Sequence, residues 1–413
     1  MNALATQAAP MSFVLFGQAA ISLTNFVTLL ALGRWAGQDE LGIFALGWSC
    51  WFLASSLADS LITTPYTYFK QQREARPELS MISTWGAIIL GLGFSIVLTF
   101  SWLLEFSAFS KLWPSLPLAI TGSLMREIAR RHFLATSQIR RLMGLDIFSS
   151  LLQLLCIAML ALAQRVTPSN MLWIIGLCTL APLLPLLSVG RVRRLMQARL
   201  GLLPTLLKFF QYGRWLLLGG LCHVLTVQIY PWAAFLVGGT KITGLYAACV
   251  SIVNIMAPIL TGLTNYFRPR FMLAHVDLPR REFSHFVFTR VGLFLFPGIA
   301  LCIALVFYGE TILARLYGPS FQEGAVAIIW FGGGALAICL AAPFQLGLLA
   351  LNATVTNLYY HALSLCCIVT GVLFYLDVLN LIDLGRINFI ASWIACLLLV
   401  GLFLDRINNV PRV

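Results

Sequence analysis

The amino-acid sequence predicts an all-α integral membrane protein with about twelve transmembrane helices. Of its 413 residues, 60% are hydrophobic and only 10% are charged, against about 45 to 50% and about 25% in soluble domains. Apolar stretches of about 20 residues, the length that crosses a hydrocarbon core of about 30 Å, recur from Ser12 to Leu404. Little of the chain is left for a soluble domain.

The apolar stretches define six spans in each half of the chain. In the first half they are residues 12–32, 41–66, 81–104, 113–135, 144–163 and 170–190. In the second half they are residues 211–236, 242–267, 286–307, 322–350, 357–376 and 387–405. The tenth span carries Gly332, Gly333, Gly334 and Pro343, which predict a bent or broken helix. The fourth span is unusually charged.

The positive charges predict that both termini face the cytoplasm, with the chain in the inner (cytoplasmic) membrane. Of the 27 Lys and Arg residues, 21 fall on the side of the N-terminus in this topology and only 6 on the other side, as the positive-inside rule requires. The net charge of +12 therefore needs no nucleic-acid partner, because membrane lipids with anionic headgroups account for it. Residues 1–11 carry no Lys or Arg, which argues against a cleaved signal peptide.

The sequence predicts neither a metal site nor a cofactor. All 10 cysteines fall inside predicted spans, where they behave as small buried hydrophobic residues. The chain contains no CxxC pair, no Cys/His cluster at metal-ligand spacing and no nucleotide-binding GxxxxGK[ST] loop.

The two halves of the chain repeat each other. A shift of 202 residues aligns the first two spans with the seventh and eighth, and 10 of the 53 positions from Gly17 to Phe69 are then identical. The repeat predicts two parallel six-helix lobes, residues 1–200 and 201–413, an arrangement found in transporters that bind substrate near the repeat interface.

Polar residues form matching stripes in the two halves. The second span carries Ser49, Ser56, Asp59, Thr63 and Tyr66 on one helical face, and the eighth carries Ser251, Asn254, Pro258, Thr261 and Asn265 on one face as well. The two stripes superimpose under the shift of 202 residues. The first span adds Asn25 and the seventh adds His223. Such residues either line a cavity that binds substrate or join helices by hydrogen bonds. The repeated position favours a cavity, and His223 is either a titrating or a structural histidine.

The charged fourth span is the strongest candidate site. Arg126 and Arg130 are separated by one helical turn, as are Glu127 and Arg131, and the excess of guanidinium groups suits a phosphate or diphosphate ligand. In the alternative interpretation the span ends near Leu124 and the arginines lie in a cytoplasmic loop.

Two carboxylates fall well within other spans. Asp59 is a candidate site for a coupling proton or cation, or a partner of a nearby Arg. Asp146 begins the fifth span, where an acid in the first turn is favoured by the helix dipole.

The run from Gly17 to Ala45, which contains Ser22, Asn25 and Arg34 and ends in Asp39-Glu-Leu-Gly-Ile-Phe-Ala45, resembles the opening of a known family. That family is the polysaccharide-transport branch of the multidrug, oligosaccharidyl-lipid and polysaccharide (MOP) flippase superfamily. Its second-half segment is similar to Gly244-Leu-Tyr-Ala-Ala248. The resemblance implies the MATE-like fold and a flippase that moves a lipid-linked glycan on polyprenyl diphosphate, in lipopolysaccharide or exopolysaccharide synthesis. Glycan polymerase and glycosyltransferase partners would accompany it.

Two other functions stay open. A cation-coupled exporter of drugs would belong to the same superfamily, although organic cations favour buried carboxylates and this chain has few. A membrane glycan polymerase or ligase would need a catalytic platform, and the predicted outer loops are short and contain no His paired with an acid. We therefore expect a protein that is not an enzyme and has no catalytic residues.

Overall fold

A computed structural model describes residues 2–71, 78–103, 110–186, 202–351, 353, 355–375 and 379–409. In these ranges the chain is helical, with turns and no strand, which confirms the all-α class. The helices are α1 Asn2–Trp35, α2 Gln38–Ala58, α3 Thr64–Gln71, α4 Glu78–Leu103, α5 Ser115–Ala135, α6 Ile139–Leu162, α7 Pro168–Leu180, α8 Leu202–Val253, α9 Met256–Asp277, α10 Arg280–Tyr317, α11 Ala325–Ala350, α12 Val355–Phe374 and α13 Leu381–Asn409. A π-helical turn, Asp59–Thr63, joins α2 to α3, and 3₁₀ turns occupy Ala181–Leu186 and Pro319–Gly324.

Within the described residues, nine helical stretches are long and apolar enough to cross a membrane, and a tenth apolar helix, residues 358–374, is shorter. The chain is a multi-pass membrane protein. Each predicted span overlaps a helix, but the charged α5 is not among the nine, and one of the nine stretches, residues 216–253, contains a kink. The count of twelve spans, the inner-membrane location and the cytoplasmic termini stay predictions.

The chain divides into two compact units, Met1–Val224 and Leu225–Val413. The predicted lobe boundary between residues 200 and 201 lies outside the described residues. In the first unit, α1 packs on α6 and α5 packs on α4 and α7. Glycines let α5 and α7 approach closely, since a Cβ atom on Gly122 would lie 2.8 Å from the carbonyl oxygen of Gly176.

In the second unit, α11 packs between α10 and α13. The tenth span is not broken, because α11 is one continuous helix through its glycines and Pro343, and a bend in it stays a prediction. The glycines instead make room for neighbouring side chains. A Cβ atom on Gly332 would lie 2.7 Å from Leu305 of α10, and one on Gly333 would lie 2.8 Å from Phe389 of α13.

Local geometry repeats at the aligned positions of the two units. Gly37 and Gly239 both have positive φ, +91° and +63°, a conformation that glycine adopts without steric cost. Gly37 precedes α2, and Gly239 lies at the kink of α8, just before its second helical part. Twelve residues further on, the buried hydroxyls of Ser49 and Ser251 donate to Leu46 and Ala248 of their own helices, at 2.6 and 2.7 Å. The start of α2 in the first unit and the part of α8 after the kink in the second unit therefore share the same local geometry.

Candidate functional site

The charged residues of the predicted fourth span lie on a continuous helix. α5 runs from Ser115 to Ala135, so the arginines lie on a helix and not in a loop after Leu124, while the point at which this span leaves the membrane stays a prediction. Arg126, Glu127, Arg130 and Arg131 occupy less than two turns and project toward α1, α6 and the turn after α2. We call these four residues together with Asp59 and Asp146 the Arg–carboxylate cluster.

Asp146 forms the deep end of the cluster. Its carboxylate lies 2.9 Å from Arg130 Nε and 3.4 Å from Arg126 Nη2. The side chain of Asp146 is only 2% exposed, and those of Arg126 and Arg130 are 14% and 16% exposed. The prediction that Asp146 is a first-turn acid stabilised by a helix dipole is wrong, because α6 begins seven residues earlier at Ile139 and two guanidinium groups neutralise the carboxylate.

Helix α1 covers this deep end with a glycine and an amide. A Cβ atom on Gly17 would lie 3.1 Å from Asp146 Oδ2, so the missing side chain makes room for the carboxylate. The next residue of α1, Gln18, contacts Arg130, whose Nη2 donates to Gln18 Oε1 at 3.2 Å. The Nε atom of Arg126 is buried and has no hydrogen-bond acceptor among the described residues.

The rim of the cluster is open. Glu127 accepts from Arg130 at 2.9 Å and from Arg131 at 3.0 Å. Arg131 also donates from Nη2 to Asp59 Oδ1 at 3.0 Å, and these two side chains are 39% and 49% exposed. Thr63 donates to the same Asp59 oxygen at 2.6 Å. The rim pair is therefore the part of the cluster that a ligand can reach.

The π-helical turn sets the position of Asp59. Pro65 has no N–H group and its ring clashes with the carbonyl of residue 61, so a regular α-helical hydrogen bond is impossible there. The chain instead widens into the π turn Asp59–Thr63, a feature that is frequent at functional sites. Pro65 is the one sequence signal that indicates a π turn, whereas the apolar stretch predicts a continuous second span.

The charges of the cluster balance. The three guanidinium groups of Arg126, Arg130 and Arg131 meet the three carboxylates of Asp59, Glu127 and Asp146. The expected excess of positive charge is therefore absent from this conformation, because Asp59 and Asp146 come from other helices. An anionic ligand can bind only if it displaces a carboxylate or if a carboxylate is protonated.

Next to the cluster on α5, His132 joins the buried Tyr66 of α3, with 2.8 Å between His132 Nδ1 and the Tyr66 hydroxyl. This hydrogen bond ties α5 to the segment that follows the π turn. Tyr66 belonged to the predicted polar stripe, but its partner was not predicted.

The other predicted site residues lie elsewhere. Asn25 is exposed on α1, two turns from Gln18, and His223 is exposed on α8 at the end of the first unit. Asn254 and Asn265 belong to the second unit. Asn254 is exposed at the break between α8 and α9, and Asn265 is partly buried on α9. The structure therefore brings together Arg126, Arg130, Arg131 and Asp59, and the four remaining residues stay predictions.

The described residues contain no group of three or more His, Cys, Asp or Glu side chains placed to hold a metal ion. The chemistry of the cluster is that of ion pairing.

Solved structures of transporters share this fold. An inward-facing multidrug resistance MATE family transporter of the MOP superfamily matches with a TM-score of 0.76 and 11% identity, over 95% of this chain and 96% of that chain. The lipid II flippase MurJ, in an inward closed conformation, matches with a TM-score of 0.65 and 11% identity, over 96% and 90%. A MOP superfamily transporter from Pyrococcus furiosus, described as having a binding pocket of reversed polarity, matches with a TM-score of 0.63 and 11% identity, over 96% and 94%.

No protein-family model matches the chain, and no curated protein sequence matches it. At these identities the likeness shows the fold, which is that of MOP-superfamily transporters and flippases. The predicted MATE-like fold is thereby confirmed. The neighbours are transporters, in keeping with the expectation that the chain is not an enzyme.

Proposed function

We propose that this protein is a flippase that moves a lipid-linked oligosaccharide, carried on polyprenyl diphosphate, across the cytoplasmic membrane by alternating access. The observation that carries the proposal is the open ion pair between Arg131 and Asp59, which lie 3.0 Å apart at the rim of a buried Arg–carboxylate cluster. A transporter fold supports it, and the MurJ neighbour is itself a flippase of a lipid.

The rim pair suggests how a diphosphate would bind. Arg131 presents a planar fork of N–H donors that matches a phosphate group, but Asp59 now occupies part of it. Protonation of Asp59 removes its negative charge and leaves the cluster with a net charge of +1. A diphosphate would then replace Asp59 on Arg131, and its release would allow Asp59 to lose the proton and recover its partner. Asp59 thus couples proton movement to substrate binding.

The deep end of the cluster has a different role in this scheme. Asp146 holds Arg126 and Arg130 in place, and all three side chains are mostly buried. They supply fixed positive potential behind Arg131 without exposing unpaired charge to the hydrocarbon, where charged side chains are costly. The diphosphate therefore meets one exchangeable arginine backed by two fixed ones.

The test compares two arginine substitutions in a cell that exports the glycan. Arg131→Gln is expected to lower the amount of lipid-linked glycan that reaches the outer leaflet at least about tenfold, the effect of losing a charged hydrogen bond of about 1.5 to 3 kcal/mol. Arg131→Lys keeps the charge but not the fork and should retain part of the activity. The control is Arg141→Gln, which removes an exposed arginine bonded only to Gln138 among the described residues. Normal export by Arg131→Gln at a normal protein level contradicts the proposal.

One observation favours a second function, cation-coupled export of organic cations. The Asp59 carboxylate is about half exposed, and the cluster contains more acid than the sequence alone indicated. An organic cation could take the place of Arg131 beside Asp59. In that case Asp59→Asn abolishes efflux of a quaternary ammonium dye, and Arg131→Gln leaves or increases it. The flippase proposal instead expects Arg131→Gln to lower glycan export, so the effect of Arg131→Gln in the two assays separates the functions.

Glycan polymerase and glycosyltransferase partners follow only from the flippase proposal. A cross-linking experiment in the native membrane, with the glycan pathway present and absent, would test them.

A further inference from the structure

A polar cavity lies in the second unit, beside the start of α10. Its volume is about 520 Å³, and it is lined by Leu278 and by six residues from the first three turns of the helix: Arg281, Glu282, His285, Phe286, Thr289 and Arg290. None of these residues belongs to the Arg–carboxylate cluster. The cavity combines positive charge, one carboxylate and an aromatic ring at the edge of the apolar region.

Arg290 is held in a fixed position on one wall of this cavity. Its guanidinium carbon lies 4.3 Å from the centre of the Phe286 ring, a cation–π arrangement. Its Nη1 donates to Thr289 Oγ1 at 2.6 Å, and this hydroxyl donates to the Phe286 carbonyl at 2.9 Å. A guanidinium has five N–H donors, so four remain for a ligand. No carboxylate pairs with Arg290 among the residues that the structure describes.

Glu282 lies on the same cavity two turns earlier, and its carboxylate makes no ion pair within the described residues. At 1.5 Å per residue, Glu282 and Arg290 are separated by about 12 Å along the helix axis, a distance that their long side chains shorten. With Arg281 beside Glu282, the cavity has a formal charge of +1 when His285 is neutral. It therefore offers a site for an anion and a separate site for a cation.

The order of these groups along the helix matches the order of groups in a phospholipid. Beyond Arg290, the exposed Leu293 and Phe296 begin the apolar surface of α10. Moving outward from this surface, the helix presents first Arg290 and His285 and then Glu282. A phospholipid in the same leaflet presents first its acyl chains, then its phosphate and then its amine.

We propose that this cavity binds the headgroup of a phospholipid that carries a primary amine, of the phosphatidylethanolamine type. The phosphate accepts hydrogen bonds from Arg290, and the ammonium group donates to the Glu282 carboxylate. The acyl chains lie along Leu293 and Phe296. A trimethylated amine has no N–H donor for Glu282, and an anionic headgroup such as phosphatidylglycerol places no positive charge there. The lipid is thus selected by its amine as well as by its phosphate.

The proposal is independent of the transported substrate and is tested by lipid retention. The full chain is delipidated in detergent, offered equal amounts of phosphatidylethanolamine, phosphatidylcholine and phosphatidylglycerol, and analysed by native mass spectrometry. We expect phosphatidylethanolamine to be retained about two- to fivefold more than phosphatidylcholine, the range of an exposed ion pair.

Three variants separate the contributions of the two charges. Glu282→Gln should remove the preference for phosphatidylethanolamine over phosphatidylcholine without lowering retention of phosphatidylglycerol. Arg290→Gln should lower retention of all three lipids, because each has a phosphate. The control Glu310→Gln removes another exposed carboxylate, near the other end of α10, and should change nothing. A wild-type protein that retains the three lipids equally overturns the proposal. A preference that survives Glu282→Gln, or that Glu310→Gln removes equally, also overturns it.

Discussion

Replacement of Asp146 by Asn is the sharpest test of the Arg–carboxylate cluster. Asp146 contacts both Arg126 and Arg130, and its side chain is 2% exposed. The substitution keeps the size of the side chain but removes its charge. Two guanidinium groups that are mostly buried then lose their common counter-ion, and Arg126 Nε already has no acceptor among the described residues.

The expected cost follows from burial. Breaking a buried ion pair by removing one partner costs about 3 to 5 kcal/mol, since the other charge is left without compensation. Asp59→Asn removes the same charge from the rim, where Asp59 and Arg131 are 49% and 39% exposed, and an exposed pair contributes about 0 to 1 kcal/mol. We therefore expect Asp146→Asn to lower the free energy of unfolding by at least about 2 kcal/mol more than Asp59→Asn.

The two variants are compared by denaturant unfolding in mixed micelles, followed by circular dichroism, with expression level as a second readout. The double variant Asp146→Asn with Arg130→Gln should be less destabilised than the sum of the single variants, because it also removes one of the stranded charges. Equal stability of the Asp146→Asn and Asp59→Asn proteins would show that the deep end of the cluster is solvated, and the assignment of fixed and exchangeable arginines would then be wrong.

Two further predictions concern the packing around the cluster, and both are measured as unfolding free energies in the same micelles. Gly17→Ala should be about 1 to 3 kcal/mol less stable than Gly219→Ala. A Cβ atom on Gly17 would lie 3.1 Å from Asp146 Oδ2, whereas one on Gly219 has no atom within 4 Å. Equal stabilities of the two variants would refute the close approach of α1 to Asp146. Tyr66→Phe removes the 2.8 Å hydrogen bond to His132 and should cost about 1 kcal/mol; a loss below a few tenths of a kcal/mol would show that this bond does not form in the membrane.

The sequence predicts the helices well because hydropathy and length are local properties. Each predicted span overlaps an observed helix, and the aligned glycines Gly37 and Gly239 share a positive φ. Interruptions within the helices are harder to predict from the sequence. Gly332 and Gly333 predict a bent or broken helix, yet glycine at a helix interface also lets neighbouring helices approach closely. The π turn Asp59–Thr63 was signalled only by the following proline.

The sequence predicts the arginines of the Arg–carboxylate cluster but not the carboxylates that balance their charge. Spacing along one helix identifies only partners three or four residues apart, which is why the pair of Glu127 and Arg131 was evident. Asp146 lies 20 residues from Arg126, and Asp59 lies 72 residues from Arg131. These partners come together through the packing of separate helices. The predicted excess of positive charge consequently becomes a balanced cluster.

The fold itself does not require these charges. In the repeat that the sequence predicts, α11 is the counterpart of α5, and α11 contains no charged residue from Ala325 to Ala350. The counterpart of Asp59 under the shift of 202 residues is Thr261, and α12, the counterpart of α6, contains no Asp or Glu. A helix of this kind therefore packs without charge in the second unit. The first unit bears the desolvation cost of the mostly buried Arg126, Arg130 and Asp146. Stability alone would favour apolar residues at these positions, so the proposed binding and release of a charged ligand gives the cluster a role that packing does not.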